Sequence, residues 1–402
     1  MLFEHSRHER LDPTPWNPSR ASDAIAGIVD DIDRSASARF SWPVHPLDDE
    51  GDVPAGGFKA IYLGSAGVLW ALSYLQREGA AKLRRIDPIE GLRKVDVAYR
   101  SDPDTGERVP SYFLGHAGIL LLVWQAIGSR SVADELYDAV ASNIDNPTRE
   151  PLWGASGTML AAWHMGTATG ESRWRGLFVQ NVEALWNSWR HEPTVDCHLW
   201  TQDMYGSVVQ YLGAAHGFAG NVLPLLKGAG LLGEDRREAL YDRCVATLCA
   251  TAVFEGDEAN WPAGTFTPQS GGSMLMQWCH GAPGIVTSLA DFPPHRSPEM
   301  DSMLVAAGRA VWHAGPLAKG YGLCHGTAGN GYAFLKLWQR TGDATWLDRA
   351  RSFAMHAIAQ RDRMRETHGR GRYTLWTGDA GLAVYLWHCV QGHAALPALD
   401  SL

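Results

Sequence analysis

A short glycine motif recurs along the chain and restricts the folds open to it. The motif reads Gly, any residue, a small residue or Pro, then Gly, and an apolar run follows each copy, as in GVLWALSYL and GILLLVWQAI. The seven copies are GSAG (64–67), GHAG (115–118), GASG (154–157), GFAG (217–220), GAPG (281–284), GTAG (326–329) and GDAG (378–381). Internal similarity of this kind indicates one repeat architecture rather than several unrelated domains.

Amphipathic segments lie between the glycine motifs. Ile25, Ile28, Val29 and Ile32 fall at i, i+3, i+4 and i+7, which is one face of a helix. A helix that is apolar all round must be buried, whereas an amphipathic helix can cover it from outside. Each repeat therefore predicts one inner and one outer helix, and closing the ring leaves no end bare.

We therefore predict an all-α fold, an (α/α)7 toroid of seven inner and seven outer helices. It forms a single domain over residues 1–402. We expect residues 1–17 to be extended and to pack along the outside, and any hairpins to decorate loops. The glycines tolerate positive φ and let the inner helices begin where backbones crowd around the axis. The N-termini of the inner helices then point to one face, where their dipoles favour an anion or a metal-bound thiolate, and we expect function there.

Composition and charge restrict the cellular compartment and the partners that we expect for this chain. The net charge of −9 gives no reason to expect nucleic acid as a partner, and no apolar run is long enough to predict a membrane span. The N-terminus, MLFEHSRHERLDPTPWNPSR, lacks the apolar core of a secretory signal. Six cysteines are too few for a disulfide scaffold in a chain of 402 residues. We expect a cytoplasmic protein whose thiols are reduced, metal-bound or catalytic.

Cysteine and histidine stand beside the glycine motif in three copies: YLGAAHGFAGN (211–221), MLMQWCHGAPGI (274–285) and GYGLCHGTAGN (320–330). Cys279 and Cys324 occupy equivalent positions, so the ring places both on the same face. Two thiolates and an imidazole form a coherent zinc set, and three protein ligands leave a fourth position open, as in catalytic zinc sites. The spacing does not decide whether His280 or His325 completes the set.

A buried cysteine can also be simply a small apolar residue, and either cysteine taken alone would be read that way. The matched placement of Cys279 and Cys324 favours the metal. The remaining cysteines lack this placement and are predicted to be structural: Cys197, Cys244, Cys249 and Cys389.

The segments YLGAAHGFAG, QWCHGAPG and KGYGLCHGTAGNGYAFL resemble the signature blocks of the lanthionine synthetase C-like (LanC-like) family. They are closer to its eukaryote-type, glutathione-binding branch than to the lantibiotic cyclases, and the resemblance covers essentially the whole chain. It implies one Zn²⁺ per chain, bound by Cys279, Cys324 and His325. It also implies that His280 is a neighbour of the metal or an acid/base residue, that His216 transfers protons and that Lys319 contacts glutathione.

The chain departs from the lantibiotic cyclases at two positions. Their active-site aspartate, four residues before the third glycine motif, is Glu150 here, and an arginine four residues before the first zinc cysteine is Leu275. Both differences point away from a dedicated peptide cyclase. Glu150 either orients a histidine or is a surface carboxylate. A basic residue near the last repeat helps hold glutathione in the relatives, and Arg370 and Arg372 lie in that region, with Arg372 as our candidate.

An open zinc position lowers the pKa of a substrate thiol and generates thiolate at neutral pH. The natural reaction of such a thiolate is addition to dehydroalanine or dehydrobutyrine, with His216 as the acid that protonates the α-carbon. We therefore predict a C–S bond-forming enzyme that adds glutathione or a peptide cysteine to dehydroamino acids in a peptide or protein.

Two other classes of function remain open. The chain could be a non-catalytic zinc- and glutathione-binding scaffold whose partner is another protein. An α/α-barrel carbohydrate enzyme would need paired carboxylates across its mouth, and Asp203, Asp257 and Asp379 lack that context. The sequence leaves open the thiol, the electrophile, the oligomeric state and whether phospho-Ser or phospho-Thr is eliminated here.

Overall fold

The computed structural model describes residues 1–265 and 274–402, which contain fourteen α-helices and three short β-hairpins. Seven helices begin at the glycine motifs: α2 (Ser65–Arg77), α4 (His116–Ile127), α6 (Ala155–Thr169), α8 (Phe218–Lys227), α10 (Ala282–Leu289), α12 (Thr327–Thr341) and α14 (Asp379–Gln391). The other seven alternate with them: α1 (Pro18–Ser35), α3 (Pro88–Ser101), α5 (Arg130–Ser142), α7 (Ser172–Ser188), α9 (Glu234–Thr251), α11 (Pro298–Ala314) and α13 (Ala344–His368).

The helices that begin at glycine motifs form a closed inner ring. Each contacts the next inner helix along the chain, and α14 returns to pack against α2. α4 is buried from His116 to Val123, whereas α1 buries only one face, which includes Ile25, Ile28 and Ile32, and packs against α14. Apolar helices thus lie inside and amphipathic helices outside, and the predicted (α/α)7 toroid is confirmed.

Glycine is required in the motif because of a close backbone approach. A Cβ on the last glycine of each copy would lie only 1.8–2.2 Å from the carbonyl oxygen six residues earlier, as for Gly118 with Tyr112 and Gly329 with Leu323. Positive φ, which glycine tolerates, is found at only one of the seven first glycines, Gly281 with φ 103°. The glycines therefore hold each preceding loop tightly against the start of its inner helix, and these loops carry the candidate site residues.

The hairpins lie in loops, as expected, and they pair β1 (Arg190–Glu192) with β2 (Cys197–Leu199), β3 (Gln202–Met204) with β4 (Ser207–Val209), and β5 (Val253–Glu255) with β6 (Glu258–Asn260). The first 17 residues contain a short 3-10 turn at His5–Arg7 and bury Leu2 and Phe3. The amide of Glu9 donates to the carbonyl of Pro316 at 2.8 Å, which fixes this segment against the loop before α12.

A buried histidine ties three inner helices together. His388 on α14 lies 2.8 Å from the hydroxyl of Tyr74 on α2 and 2.8 Å from that of Tyr332 on α12, one at each ring nitrogen. Burial lowers the pKa of His388 from 6.5 to about 3, because the charged imidazolium would lose its hydration. Between these values the unfolded chain binds more protons than the folded one. The stabilisation is therefore complete above pH 6.5 and is lost as the pH falls towards 3.

We expect His388→Gln to reduce the acid sensitivity of the fold. Between pH 7.5 and 5.0 the wild-type free energy of unfolding should fall by about 2 kcal/mol more than that of the variant, since each pKa unit corresponds to about 1.4 kcal/mol. Urea unfolding followed by circular dichroism at the two pH values measures the difference. His5→Gln, at an exposed histidine, is the control. An unchanged pH dependence in His388→Gln would contradict the assignment.

Candidate metal centre

Cys279, Cys324 and His325 converge at the N-terminal ends of α10 and α12. Their potential ligand atoms all lie within 4.8 Å of one another, and no other group of this kind occurs among the described residues. The amide of Cys279 donates to the carbonyl of Cys324 at 3.1 Å, so the two loops are joined directly beside the sulfurs. The geometry thus selects His325 over His280 as the third donor of the group.

Backbone hydrogen bonds link the loops of this face around the axis. The amide of Ala215 donates to Cys279 at 3.4 Å, Cys324 donates to Trp376 at 2.8 Å, and Trp376 donates to Tyr62 at 3.3 Å. Loops that are far apart in sequence are therefore held in a fixed order on one face, which explains how residues 45 positions apart, Cys279 and Cys324, come together.

The donor set fits a zinc ion. Both sulfurs are buried, with Cys279 7% and Cys324 3% exposed, and burying thiolates is costly unless a cation accompanies them. A hydrogen bond from Cys324 lowers the pKa of the Cys279 thiol, whereas burial raises the pKa of the Cys324 thiol, which the nearby Lys319 ammonium partly offsets. Two sulfurs and an imidazole are the soft and borderline ligands that zinc prefers, and three protein ligands leave one position for a substrate.

Glu150 and His216 form a pair beside this centre. Nδ1 of His216 lies 3.0 Å from Oε2 of Glu150, and the carboxylate also accepts the amides of Leu152 at 2.9 Å and Trp153 at 2.5 Å. Glu150 is fully buried, so the alternative of a surface carboxylate is wrong. The arrangement fixes the ring of His216 and leaves its Nε2 directed away from the carboxylate.

A strained backbone position precedes Glu150. Arg149 has φ 45°, which is unusual for a residue with a side chain. Its carbonyl accepts a hydrogen bond from Nδ2 of Asn221, the residue directly after the GFAG motif, at 2.8 Å. Asn221 on α8 thus helps hold the turn that aims Glu150 at His216. Sequence reasoning missed this contribution, although the Asn that follows the motif was visible.

His280 lies beside His216 rather than within the three-residue group. The two rings are stacked with centroids 5.8 Å apart, and Tyr211 lies 5.4 Å from His280 on another side. Burial lowers the pKa of His280 and favours its neutral form. Its Nδ1 is buried and has no hydrogen-bond partner within the described part of the chain.

A cavity of about 910 Å³ opens at this face. Four of the predicted site residues line it: His216, His325, Lys319 and Arg372. Lys319 is exposed, but Arg372 is only 5% exposed and forms a buried ion pair with Asp48, with Nε 2.8 Å from Oδ2. Lys319 is therefore freer than Arg372 to bind a substrate anion.

Aromatic side chains that sequence reasoning did not single out line the same cavity. Trp153 and Tyr205 form part of its wall, and Nε1 of Trp153 donates to the hydroxyl of Tyr205 at 2.6 Å. Tyr205 lies at the turn between β3 and β4, which places this hairpin at the mouth of the site. The signal available in the sequence was an aromatic residue directly before a glycine, Gly206. In the structure both residues have the positive φ of a tight turn.

Fold and site together define an α/α toroid with a candidate Cys2His metal centre at the N-terminal ends of its inner helices. Residues 59–399 match the family described as "Lanthionine synthetase C-like protein". The chain belongs to this family.

Two relatives and one solved structure illustrate the similarity. "Glutathione S-transferase LANCL1" of Danio rerio is 27% identical over 315 residues, 73% of this chain and 73% of its own length. "LanC-like protein GCL1" of Arabidopsis thaliana is 34% identical over 187 residues, 44% of this chain and 40% of its own. These relatives confirm the resemblance to the eukaryote-type branch. "Nisin cyclase" shares the fold, with a TM-score of 0.62 at 14% identity over 92% of this chain and 93% of its own.

Within the described residues, no helix combines the length and apolar character needed to cross a membrane.

Proposed function

We propose that this chain forms thioethers by adding glutathione to dehydroalanine- or dehydrobutyrine-type electrophiles. The observation that carries the proposal is one cavity lined by His325 of the Cys2His group, by His216 of the His–Glu pair and by Lys319. A relative that covers 73% of this chain bears the name glutathione S-transferase, which supports glutathione as the thiol. The cavity volume of about 910 Å³ is ample for a tripeptide beside a peptide side chain.

Cys279, Cys324 and His325 would hold a zinc ion. When bound, the metal lowers the pKa of a coordinated thiol and supplies thiolate at neutral pH. Both cysteines that would hold the metal are buried, and burial away from water strengthens the interactions of a thiolate beside them with neighbouring charges.

His216 carries the proton in the proposed reaction. It takes up the proton of the glutathione thiol; the sulfur then bonds to the β-carbon of the alkene while the alkene electrons move to the α-carbon. The same imidazole returns the proton to that carbon, so the step balances without a further reactant. Glu150, which contacts Nδ1 at 3.0 Å, keeps the other ring nitrogen available and stabilises the imidazolium between the two transfers.

Lys319 provides the recognition of glutathione. Glutathione has two carboxylates, and the exposed ammonium of Lys319 lines the cavity close enough to influence Cys324. Arg372 is already paired with Asp48 and also donates to the carbonyl of Leu47. It therefore contributes by holding the loop that contains Leu47 in the wall of the cavity.

A carbohydrate enzyme is less well supported. Five carboxylates line the cavity, and three of them are engaged: Asp48 is paired with Arg372, and Asp102 and Asp104 both lie within reach of Lys59. Asp379 is fully buried and accepts the hydroxyl of Tyr321 at 2.7 Å. Carboxylates occupied in this way do not form the free acid/base pair that glycoside hydrolysis needs.

The direct test incubates the zinc-loaded chain with glutathione and a peptide that contains dehydroalanine. Mass spectrometry should detect the thioether adduct at a rate above the uncatalysed background. Lys319→Gln should raise the KM for glutathione about tenfold with little change in kcat, because one charged hydrogen bond to the substrate is lost. Lys94→Gln, at an exposed position on α3, is the matched control. An adduct rate equal to background would refute the reaction and favour a binding protein.

A further inference from the structure

The sulfur of Cys279 accepts a hydrogen bond from a neighbouring side chain. Nε2 of Gln277 lies 2.9 Å from Sγ of Cys279, and Gln277 is only 8% exposed. The amide of Gln277 donates to the carbonyl of His280 and the amide of His280 donates back to Gln277, both at 3.1 Å. This tight turn fixes the backbone on both sides of Cys279 and folds the glutamine amide over the sulfur.

Cys324 is held through its backbone. Its amide donates to the carbonyl of Trp376 at 2.8 Å, and its carbonyl accepts from the amide of Cys279 at 3.1 Å. The side chain of Gln277 donates to the sulfur of Cys279 and not to that of Cys324. Cys324 therefore serves as an internal reference for the effect of this hydrogen bond on Cys279.

The hydrogen bond from Gln277 bears on a problem of selectivity. Under the proposed function, an electrophile that reaches a substrate thiol at the metal position also comes close to the sulfurs of Cys279 and Cys324. If a protein cysteine added to the alkene, a C–S bond would form at that ligand, the α-carbon would take up the proton, and the enzyme would be permanently alkylated. A thiolate that accepts a hydrogen bond holds its electrons more tightly and reacts more slowly, and neutral donors achieve this without altering the net charge.

We propose that Gln277 is a positioning residue that suppresses the nucleophilicity of Cys279, so that the substrate sulfur is the one that reacts. The inference rests on the proposed function for the presence of the metal and of an electrophile. Gln277 itself lies outside the three-residue group.

Alkylation of the zinc-loaded protein by iodoacetamide tests the assignment without glutathione or a dehydrated peptide. A cysteine sulfur displaces iodide and forms an S–CH2 bond, and peptide mapping by mass spectrometry gives the rate at each cysteine. Gln277→Met should speed alkylation of Cys279 about tenfold and leave Cys324 unchanged. Gln277→Glu, which keeps the shape of the side chain but lacks the N–H donor, should change the Cys279 rate in the same direction. Tyr205→Phe removes a hydroxyl from the same cavity without touching a sulfur, and should leave both rates unchanged.

Cobalt-loaded protein gives a second readout. Loss of a hydrogen bond raises the energy of the sulfur electrons, so the sulfur-to-cobalt charge-transfer band should move to lower energy in Gln277→Met and Gln277→Glu, but not in Tyr205→Phe. An unchanged ratio of alkylation at the two cysteines, with an unchanged band, would overturn the proposal. Gln277→Glu has nearly the size and shape of the native side chain, so this arm decides even if Gln277→Met fails to fold. A chain that shows directed alkylation but forms no glutathione adduct would refute the proposed function alone.

Discussion

Cys324→Ala is expected to purify with almost no zinc while its helical circular dichroism remains that of the wild type. Cys324 is one of two sulfurs in the three-residue group, and its carbonyl and amide, which the substitution keeps, make the backbone contacts to Cys279 and Trp376. Structural zinc sites are worth about 10–16 kcal/mol, and a site with only three protein ligands has none in reserve, so losing one sulfur should weaken binding by at least ~10²–10³-fold. Metal analysis by mass spectrometry, expressed per chain, gives the result.

The control for this prediction is another buried cysteine. Cys389 on α14 is fully buried, and it lies outside the three-residue group. Cys389→Ala should therefore bind zinc as the wild type does, although it removes a sulfur of the same burial. Equal zinc in Cys324→Ala and wild type would eliminate the proposed ligand set, whatever the activity of the variant.

Much of the fold could be predicted because the glycine motif and the apolar run that follows it occur seven times in the sequence. The periodic apolar face of α1 and the continuous apolar run of α4 differ in a way that separates outer from inner helices. The crowding of backbones at the glycines could also be predicted, but the particular contact could not. The close approach between Gly329 and the carbonyl of Leu323 is a property of the folded loop and leaves no separate signal in the sequence.

The candidate site could likewise be predicted only in part. Cys279 and Cys324 could be predicted to lie together because they occupy equivalent positions in two repeats, and equivalent positions lie on the same face of the ring. The choice of His325 over His280 depends on the turn at Gln277–His280, and the burial of Glu150 depends on the strained backbone at Arg149. Spacing along a chain does not encode which way such turns direct a side chain.

His216→Gly is expected to lower kcat for thioether formation by about 10²–10⁴-fold while zinc content stays at the wild-type level, because general acid–base catalysis by one group is worth that much. His216 lines the cavity, so the space that the variant leaves is open to small molecules. Added imidazole should therefore restore part of the rate in His216→Gly and should not stimulate the wild type. Zinc loss in this variant, or an unchanged kcat, would contradict a role in proton transfer.

The role of Glu150 is decided by whether its effect depends on His216. Glu150→Gln should lower kcat by about 10- to 100-fold with a smaller change in KM, since the carboxylate acts through the 3.0 Å contact with Nδ1 of His216. Glu150 also accepts two backbone amides, so a purely structural role would predict some loss as well. The double variant separates these explanations, because residues that act as a unit are not additive. In the His216→Gly background, Glu150→Gln should cost almost nothing further in kcat if it positions the imidazole, whereas a structural role would lower the residual rate by the same factor as in the wild type.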